Sequence, residues 1–241
     1  MPARLYVDAP LAEGAELNLP PDAARHAQVL RLQPGYPLVL FNGLGGEWLA
    51  EVTRMGRQEV ALRVGAHSAA ARELPSRVRL AVGMPANERM DALIEKATEL
   101  GAAAVQPLQC ARSVLRLAGE RADKRRAHWQ AVAVAASEQS GRTEVPTVEP
   151  VATLAAWLGS LDTASPAGRY LLSFAADAVP LRELDAAPAA LTLLSGPEGG
   201  LDESEEALAR ARGFVPLSLG PRVLRADTAP LAALAWIAAR C

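Results

Sequence analysis

The chain is predicted to be an α/β protein in two parts: a small, mostly β domain over residues 1–70 and a mainly parallel α/β domain over residues 77–241. Three observations predict it. From Val78 onward, short apolar runs alternate with segments of helical period, the pattern of parallel strands joined by crossover helices. Before residue 70, apolar and polar residues alternate with period two, as in half-buried strands. Near the end, two apolar runs, 191–194 and 215–219, each stop at glycine and proline just before a helical pattern. The loops that follow read GPEGG (196–200) and GPRVLRADT (220–228). Glycine lets a ligand approach the main chain closely. Two such loops at the carboxyl ends of neighbouring strands make one ligand crevice. Taken singly, each loop is equally well read as an ordinary strand-to-helix turn.

In the first part, residues 5–7 begin a strand and 38–41 form a compact apolar one. Asn42-Gly43 with Gly45-Gly46 marks a hairpin turn. Trp48, Ala50 and Val52 alternate with Leu49, Glu51 and Thr53 on the return strand, and Val60, Leu62 and Val64 alternate likewise. Residues 21–32 are predicted helical: Pro21 suits a first turn, and Ala24, Ala27, Val29 and Leu30 give an apolar face. A small barrel with one helix is the natural packing. Arg4, Arg25 and Arg31 are candidate phosphate contacts, because the planar guanidinium fork binds pairs of oxygens. Ordinary surface arginines are the competing reading, since Asp8, Glu13, Glu16 and Asp22 lie among them. His26 reads as a packed or surface histidine.

Residues 66–76 read as the link between domains. In the second part, 78–84 is a strand and 88–100 a helix, with Met90, Leu93, Ile94 and Ala97 at helical spacing and Gly101 at its end. Lys96 and Glu99 fall on its polar side, where Lys96 is weighed between a solvated face and an approach to nucleic acid. Residues 103–108 form the next strand. The long helix 121–139 carries an apolar stripe of Trp129, Val132, Ala133 and Ala136. Arg121, Lys124, Arg125 and His128 share another face, either an RNA-facing patch or a solvated one. The helix ends at Gly141, whose left-handed backbone would cap it, with Arg142 expected to point outward. A short helix over 151–158, a loop over 163–168, a strand over 170–174 and a turn or short helix over 177–184 follow. Helix 202–212 has complete end signals: a capping box of Asp202 and Glu205, acidic residues in its first turn, and Arg210, Arg212 and Gly213 at its end. Asp227 reads as the N-cap of the last helix. Residues 231–240 are apolar nearly all round, which predicts burial, with a subunit interface as the expected place.

Composition excludes several classes. The 241 residues are 50% hydrophobic and 22% charged, which argues against disorder. A net charge of −2 offers no overall attraction to phosphate, so any RNA contact must rest on local basic patches. Cys110 and Cys241 are far apart, and His26, His67 and His128 are scattered, so no zinc or other metal site is expected. The opening MPARLYVDAP lacks the apolar segment of a signal peptide. The apolar run near 231–239 is too short to span a bilayer. A soluble cytoplasmic protein is the expectation. A nucleotide-binding Rossmann domain would carry G-x-G-x-x-G after its first strand; here Pro85-Ala86-Asn87 follows instead.

Several segments together resemble one family. They are GPEGG before an acidic helix, LGPRVLRADTA (219–229), EKATELG (95–101), and Glu138-Gln139-Ser140 with Arg142 and Val145-Pro146. A looser set, Arg4-Leu5-Tyr6, HAQVLR (26–31), Gly35 and Phe41-Asn42-Gly43, extends it. Over nearly the whole chain these resemble the RsmE family of SPOUT methyltransferases. The resemblance implies a PUA-like RNA-binding domain followed by a SPOUT domain with a carboxyl-terminal trefoil knot. It implies S-adenosylmethionine as cofactor, with no metal because the sulfonium is already activated. It implies a homodimer whose active site is completed across two subunits, acting on N3 of a uridine (U1498) of 16S rRNA in the 30S subunit. The cofactor residues it implies are Leu194, Gly196, Pro197, Glu198, Gly199, Leu217, Leu219, Gly220, Val223 and Leu224. Glu138 becomes the candidate general base and Arg142 the candidate for positioning uracil or stabilising its anion. Asp227, where the family usually has Glu, is the rival base, and Arg225 is a candidate for RNA or partner-subunit contact. Two other functions compete: a SPOUT enzyme with another RNA target, such as ribose 2′-O methylation, and a non-catalytic RNA-binding assembly factor. The intact EKATELG and LGPRVLRADT segments count against the first, and the intact GPEGG loop against the second.

Overall fold

A computed structural model describes residues 2–56, 59–86, 88–162, 167–184 and 188–240. Positions 163–166 of the expected loop 163–168 lie outside the described residues. The chain forms two compact units. The first comprises Met1–Glu73 with Val134–Val145, and the second Leu74–Ala133 with Pro146–Cys241. The chain thus passes from one unit to the other inside the expected link 66–76, and the end of the long helix groups with the first unit.

The first unit contains β1 (Ala3–Tyr6), β2 (Glu16–Asn18), α1 (Pro21–Val29), β3 (Pro37–Phe41), β4 (Glu47–Met55) and β5 (Val60–Ser68). They form a sheet in the order β1-β3-β4-β5-β2. Strands β1 and β3 pair in parallel and the others antiparallel. The period-two alternation delivers Leu5, Leu38, Leu40, Val52, Val60 and Leu62 to one fully buried core. In the β3–β4 turn Gly43, Gly45 and Gly46 all take positive φ. A Cβ on Gly46 would fall 2.3 Å from the His67 ring, so a side chain there would have to push that ring aside. Helix α1 stops three residues short of the expected 32. Leu32 N donates to Ala27 O (3.2 Å) and Arg31 N to Gln28 O (2.9 Å), the bond pair of a Schellman end. The turn needs a left-handed residue, and Arg31 supplies it at φ 57°.

The second unit contains β6 (Arg77–Gly83), α2 (Glu88–Glu99), β7 (Ala104–Gln109), most of α3 (Gly119–Ser140), β8 (Thr147–Val148), β9 (Ala152–Thr153), α4 (Leu154–Ser160), β10 (Gly168–Leu172), β11 (Val179–Pro180), β12 (Ala190–Ser195), α5 (Glu203–Ala211), β13 (Val215–Ser218) and α6 (Thr228–Ala238). Among the described residues the strands form one parallel sheet in the order β11-β13-β10-β12-β6-β7-β8, with β9 also beside β7. Both faces are covered, which explains the near-continuous apolar runs. Ala81, Leu171 and Leu194 meet Leu154, Trp157 and Phe214 in one cluster, while Met90, Leu93, Ile94 and Ala97 of α2 are fully buried. Strands β12 and β13, which carry the two glycine loops, flank β10 on either side.

The capping box of α5 is present as expected, with Asp202 accepting from Glu205 N and Glu205 from Asp202 N. One expectation about α6 is corrected. The helix starts at Thr228, and Asp227 makes no side-chain capping bond because its own backbone is already helical (φ −78°, ψ −34°). One Asp227 oxygen is instead buried with no hydrogen-bond partner among the described residues. In the single chain Pro230, Ala233, Leu234 and Ile237 are buried, and Leu231, Ala235 and Trp236 are partly exposed. Arg240 covers the Trp236 ring at 4.4 Å.

Candidate active site

A cavity of about 730 Å³ opens at the carboxyl ends of β10, β12 and β13, where ligands bind in open parallel sheets. Gly196, Pro197, Glu198, Gly199, Leu217, Leu219, Val223 and Leu224, all predicted from the sequence, line it. The two remaining predicted residues do not. Leu194 is fully buried in the core beneath. Gly220 turns the chain after β13 at φ 97°, with its N–H donated to Ser218 Oγ at 3.2 Å.

The GPEGG loop has this shape because its neighbours leave no room for side chains. A Cβ on Gly196 would lie 2.7 Å from Leu201 N, and one on Gly83, at the end of β6, would lie 2.5 Å from Pro197. The loop is also clamped from the segments after β6 and β7. Arg112 Nη1 donates to Gly199 O at 2.8 Å. Ala86 N donates to Glu198 Oε1 at 3.1 Å, and Arg89 stands 3.6 Å from the same oxygen. Glu198 therefore turns its carboxylate toward the neighbouring loop. Ala111 N binds Glu205 Oε1 at 2.7 Å, tying the start of α5 to the same edge. Ser195, 3% exposed, lines the cavity, and its hydroxyl has no partner among the described residues.

Sequence reasoning missed Arg89, Arg112, Phe174, Ser195 and Arg222, all of which line the cavity. A signal was present for two of them. Arg112 follows the carboxyl end of β7, and Arg222 sits inside the second glycine loop. Arg225, read as an RNA or partner contact, also lines the cavity.

Glu138 and Arg142 belong to the first unit and are not cavity residues. The expectation that Arg142 points outward is corrected: it is 5% exposed. Its Nε donates to Glu73 Oε2 at 2.9 Å, its Nη2 binds the same oxygen, and its carbonyl accepts from Arg4 Nη2 at 2.9 Å. Glu138 accepts from Tyr6 N at 2.8 Å and stands 3.0 Å from His26 Nδ1. Burial raises the Glu138 carboxyl pKa. Gly141 does cap α3, at φ 81°.

The basic candidates divide. Arg4 turns inward: its side chain is 11% exposed and paired with Glu47, so its charge is already answered within the first unit. Glu47 also binds Arg72, which with Arg4 holds its carboxyl down to about 2. Arg25 stands 4.0 Å from Asp22, and Arg31 is exposed. Lys124 lies 3.6 Å from Glu120 and His128 2.8 Å from Asp91. Among the described residues that leaves Arg121 and Arg125 as the uncompensated part of the stripe. Lys96 is held by Glu95 at 2.7 Å and Glu99 at 2.8 Å on the exposed face of its helix. Burial pushes the Cys110 thiol up to about 12, which makes it inert. Among the described residues no group of His, Cys, Asp or Glu is placed to hold a metal ion, and no helix is long and apolar enough to cross a membrane.

A parallel α/β domain carrying this cavity, preceded in the chain by a small β domain, defines an RNA methyltransferase of the kind that bears a PUA domain. The model of the RNA methyltransferase domain matches residues 72–238, and that of the RNA methyltransferase PUA domain matches residues 19–65. More particularly, the chain belongs to the ribosomal RNA small subunit methyltransferase E family. It is 34% identical over 219 residues to the Bacillus subtilis protein of that name, covering 87% of this chain and 84% of the relative. It is 35% identical over 233 residues to the Mycobacterium bovis protein, covering 95% and 88%. The crystal structure of ribosomal RNA small subunit methyltransferase E from Neisseria gonorrhoeae bound to S-adenosyl methionine superimposes with a TM-score of 0.92 at 34% identity, over 98% of this chain and 97% of that one.

Proposed function

We propose that this protein is an S-adenosylmethionine-dependent methyltransferase acting on N3 of U1498 of 16S rRNA in the small ribosomal subunit. The observation that carries the proposal is the cavity: eight residues of the two glycine loops and the strand end before the second converge on one pocket at the sheet edge. The pocket fits the cofactor in size, since sites for such molecules span roughly 300–1,000 Å³. It fits in chemistry, with Leu217, Leu219 and Leu224 to pack a purine and glycine backbone to approach polar atoms. When bound, the cofactor supplies an electrophilic methyl group. The chain's part is to hold it in place: Arg112 and Ala86 keep the GPEGG loop in its binding shape through Gly199 and Glu198.

Glu138 and Arg142 act in this proposal as positioning residues of the first unit. Each already has a partner there, and removing either reaches the reaction through the docking of RNA. The proposal includes a homodimer, supported by the partly exposed apolar side of α6, a cytoplasmic location, and a trefoil knot around the paired loops, supported by the placement of β13 between β10 and β11.

The test is transfer of labelled methyl from S-adenosylmethionine to purified 30S particles, free 16S rRNA and 50S particles in parallel. Incorporation confined to the small-subunit substrates supports the reading. Binding of cofactor without transfer to either would favour a non-catalytic assembly factor. Light scattering at micromolar concentration is expected to give twice the chain mass of 25.4 kDa.

A further inference from the structure

The positive charge that remains unanswered at the cavity sits on its rim. Four arginines, Arg89, Arg112, Arg222 and Arg225, line the cavity, against two acids, Glu198 and Glu206. Both acids are engaged. Glu198 faces Arg89, and Glu206 binds Arg210 at 2.9 Å and the Ser173 hydroxyl at 3.1 Å. Arg112 donates to two carbonyl oxygens, those of Gly199 and Leu201. Arg222 and Arg225 are exposed and make no ion pair among the described residues. A chain of net charge −2 therefore gathers at one opening three guanidinium groups that no carboxylate binds among the described residues.

Beside them stands an aromatic ring. Phe174 is 67% exposed and Val223 85% exposed, and both line the same cavity. Exposed arginines around an exposed aromatic side chain are the chemistry of single-stranded nucleic acid recognition: the charges hold phosphates and the ring stacks a base. The geometry has a reason to be here. N3 lies on the Watson–Crick edge of uracil, so the target nucleotide must leave its stack before N3 can face a methyl donor inside a cavity.

Resting on the function proposed above, we propose that this rim seats the extruded target nucleotide. Arg222 and Arg225 bind its flanking phosphates, with Arg112 completing the ring of charge. Phe174 stacks on the pyrimidine.

The test uses full-length protein, cofactor and 30S particles. Arg222→Gln with Arg225→Gln is expected to weaken 30S binding on the order of 10- to 100-fold at 0.15 M salt. It is expected to reduce the log–log salt slope by about 0.7 for each single-strand phosphate that is no longer neutralised. Arg222→Lys with Arg225→Lys keeps the charges and most of the slope. Phe174→Leu keeps the bulk and loses the aromatic face; its 30S affinity is expected to fall at least about fivefold with no change in salt slope. Calorimetry should find S-adenosylmethionine affinity within about twofold of the parent in all of them, and light scattering should find the parent's mass.

Unchanged 30S affinity and slope in the glutamine variant would overturn the proposal. So would a parallel loss of cofactor affinity, which would assign the arginines to the cofactor carboxylate, or a halved mass, which would assign them to a subunit interface. A parent protein that itself neither binds S-adenosylmethionine nor methylates 30S particles would instead overturn the underlying functional reading.

Discussion

Arg142 is locked onto Glu73. Two nitrogens of its guanidinium bind one Glu73 oxygen, and the other oxygen accepts the backbone N–H groups of Thr143 and Glu144, both at 3.2 Å. One carboxylate thus gathers the turn after α3 into the first unit. Removing the charge from a buried pair leaves its partner uncompensated. Glu73→Gln keeps acceptors for the two N–H groups while losing the charge. It is expected to destabilise the protein by about 2–4 kcal/mol in urea unfolding, with cofactor affinity unchanged in calorimetry. A large loss of methyl transfer at full stability and saturating 30S particles would return Arg142 to the reacting centre.

Glu47 predicts an acid response. Its two arginine partners depress its folded-state pKa from 4.5 to about 2, with the hydrogen bond from Arg72 the largest cause. A depressed carboxyl contributes stability that is fully present above its unfolded pKa and is lost as pH falls through the folded one. The window is therefore about pH 5 to 2. Discounted for solvent screening, the contribution is on the order of 1–2 kcal/mol. Glu47→Gln should unfold more readily at pH 7 and lose less stability than the parent between about pH 5 and 3, measured by circular dichroism melts.

Arg31 occupies a left-handed backbone position, φ 57°, that favours glycine and costs a branched or long residue about 1 kcal/mol. Arg31→Gly is expected to raise stability by roughly 0.5–1 kcal/mol, while Arg31→Ala is not. If Arg31 also contacts RNA phosphate, both variants share the same reduction of salt slope in 30S binding.

Gly83 offers a test of the cofactor loop from outside the cavity, which it does not line. Its missing Cβ makes room for Pro197. Gly83→Ala should displace the loop and weaken S-adenosylmethionine binding about 5- to 100-fold, the effect expected of roughly 1–3 kcal/mol of overpacking. Native affinity in a folded Gly83→Ala protein would show that the loop position does not set cofactor binding.

Much of the fold is legible in the chain itself. Strands buried on both faces announce themselves as apolar runs, and the end signals of α5 mark its limits to within a residue. The paired loops are legible because glycine and proline report backbone shape, which one sequence carries locally. Side-chain partners are not. Whether Arg142 faces solvent depends on Glu73, and whether Arg4 is available depends on Glu47, residues far away in the chain that carry no mark of the pairing. Strand β2 is three residues long, too short for a period to show. The cationic rim escapes sequence reasoning for a similar reason: Arg89, Arg112, Arg222 and Arg225 come from three separate segments and meet only when the sheet is assembled.

The central claim is tested most directly by mass spectrometry of 16S rRNA nucleosides after 30S particles, purified from cells lacking this activity, are incubated with the protein and isotopically labelled S-adenosylmethionine. The account predicts labelled 3-methyluridine, located by oligonucleotide mapping to U1498. Label on a ribose hydroxyl or another nucleotide, or none from a protein that binds the cofactor, would contradict it.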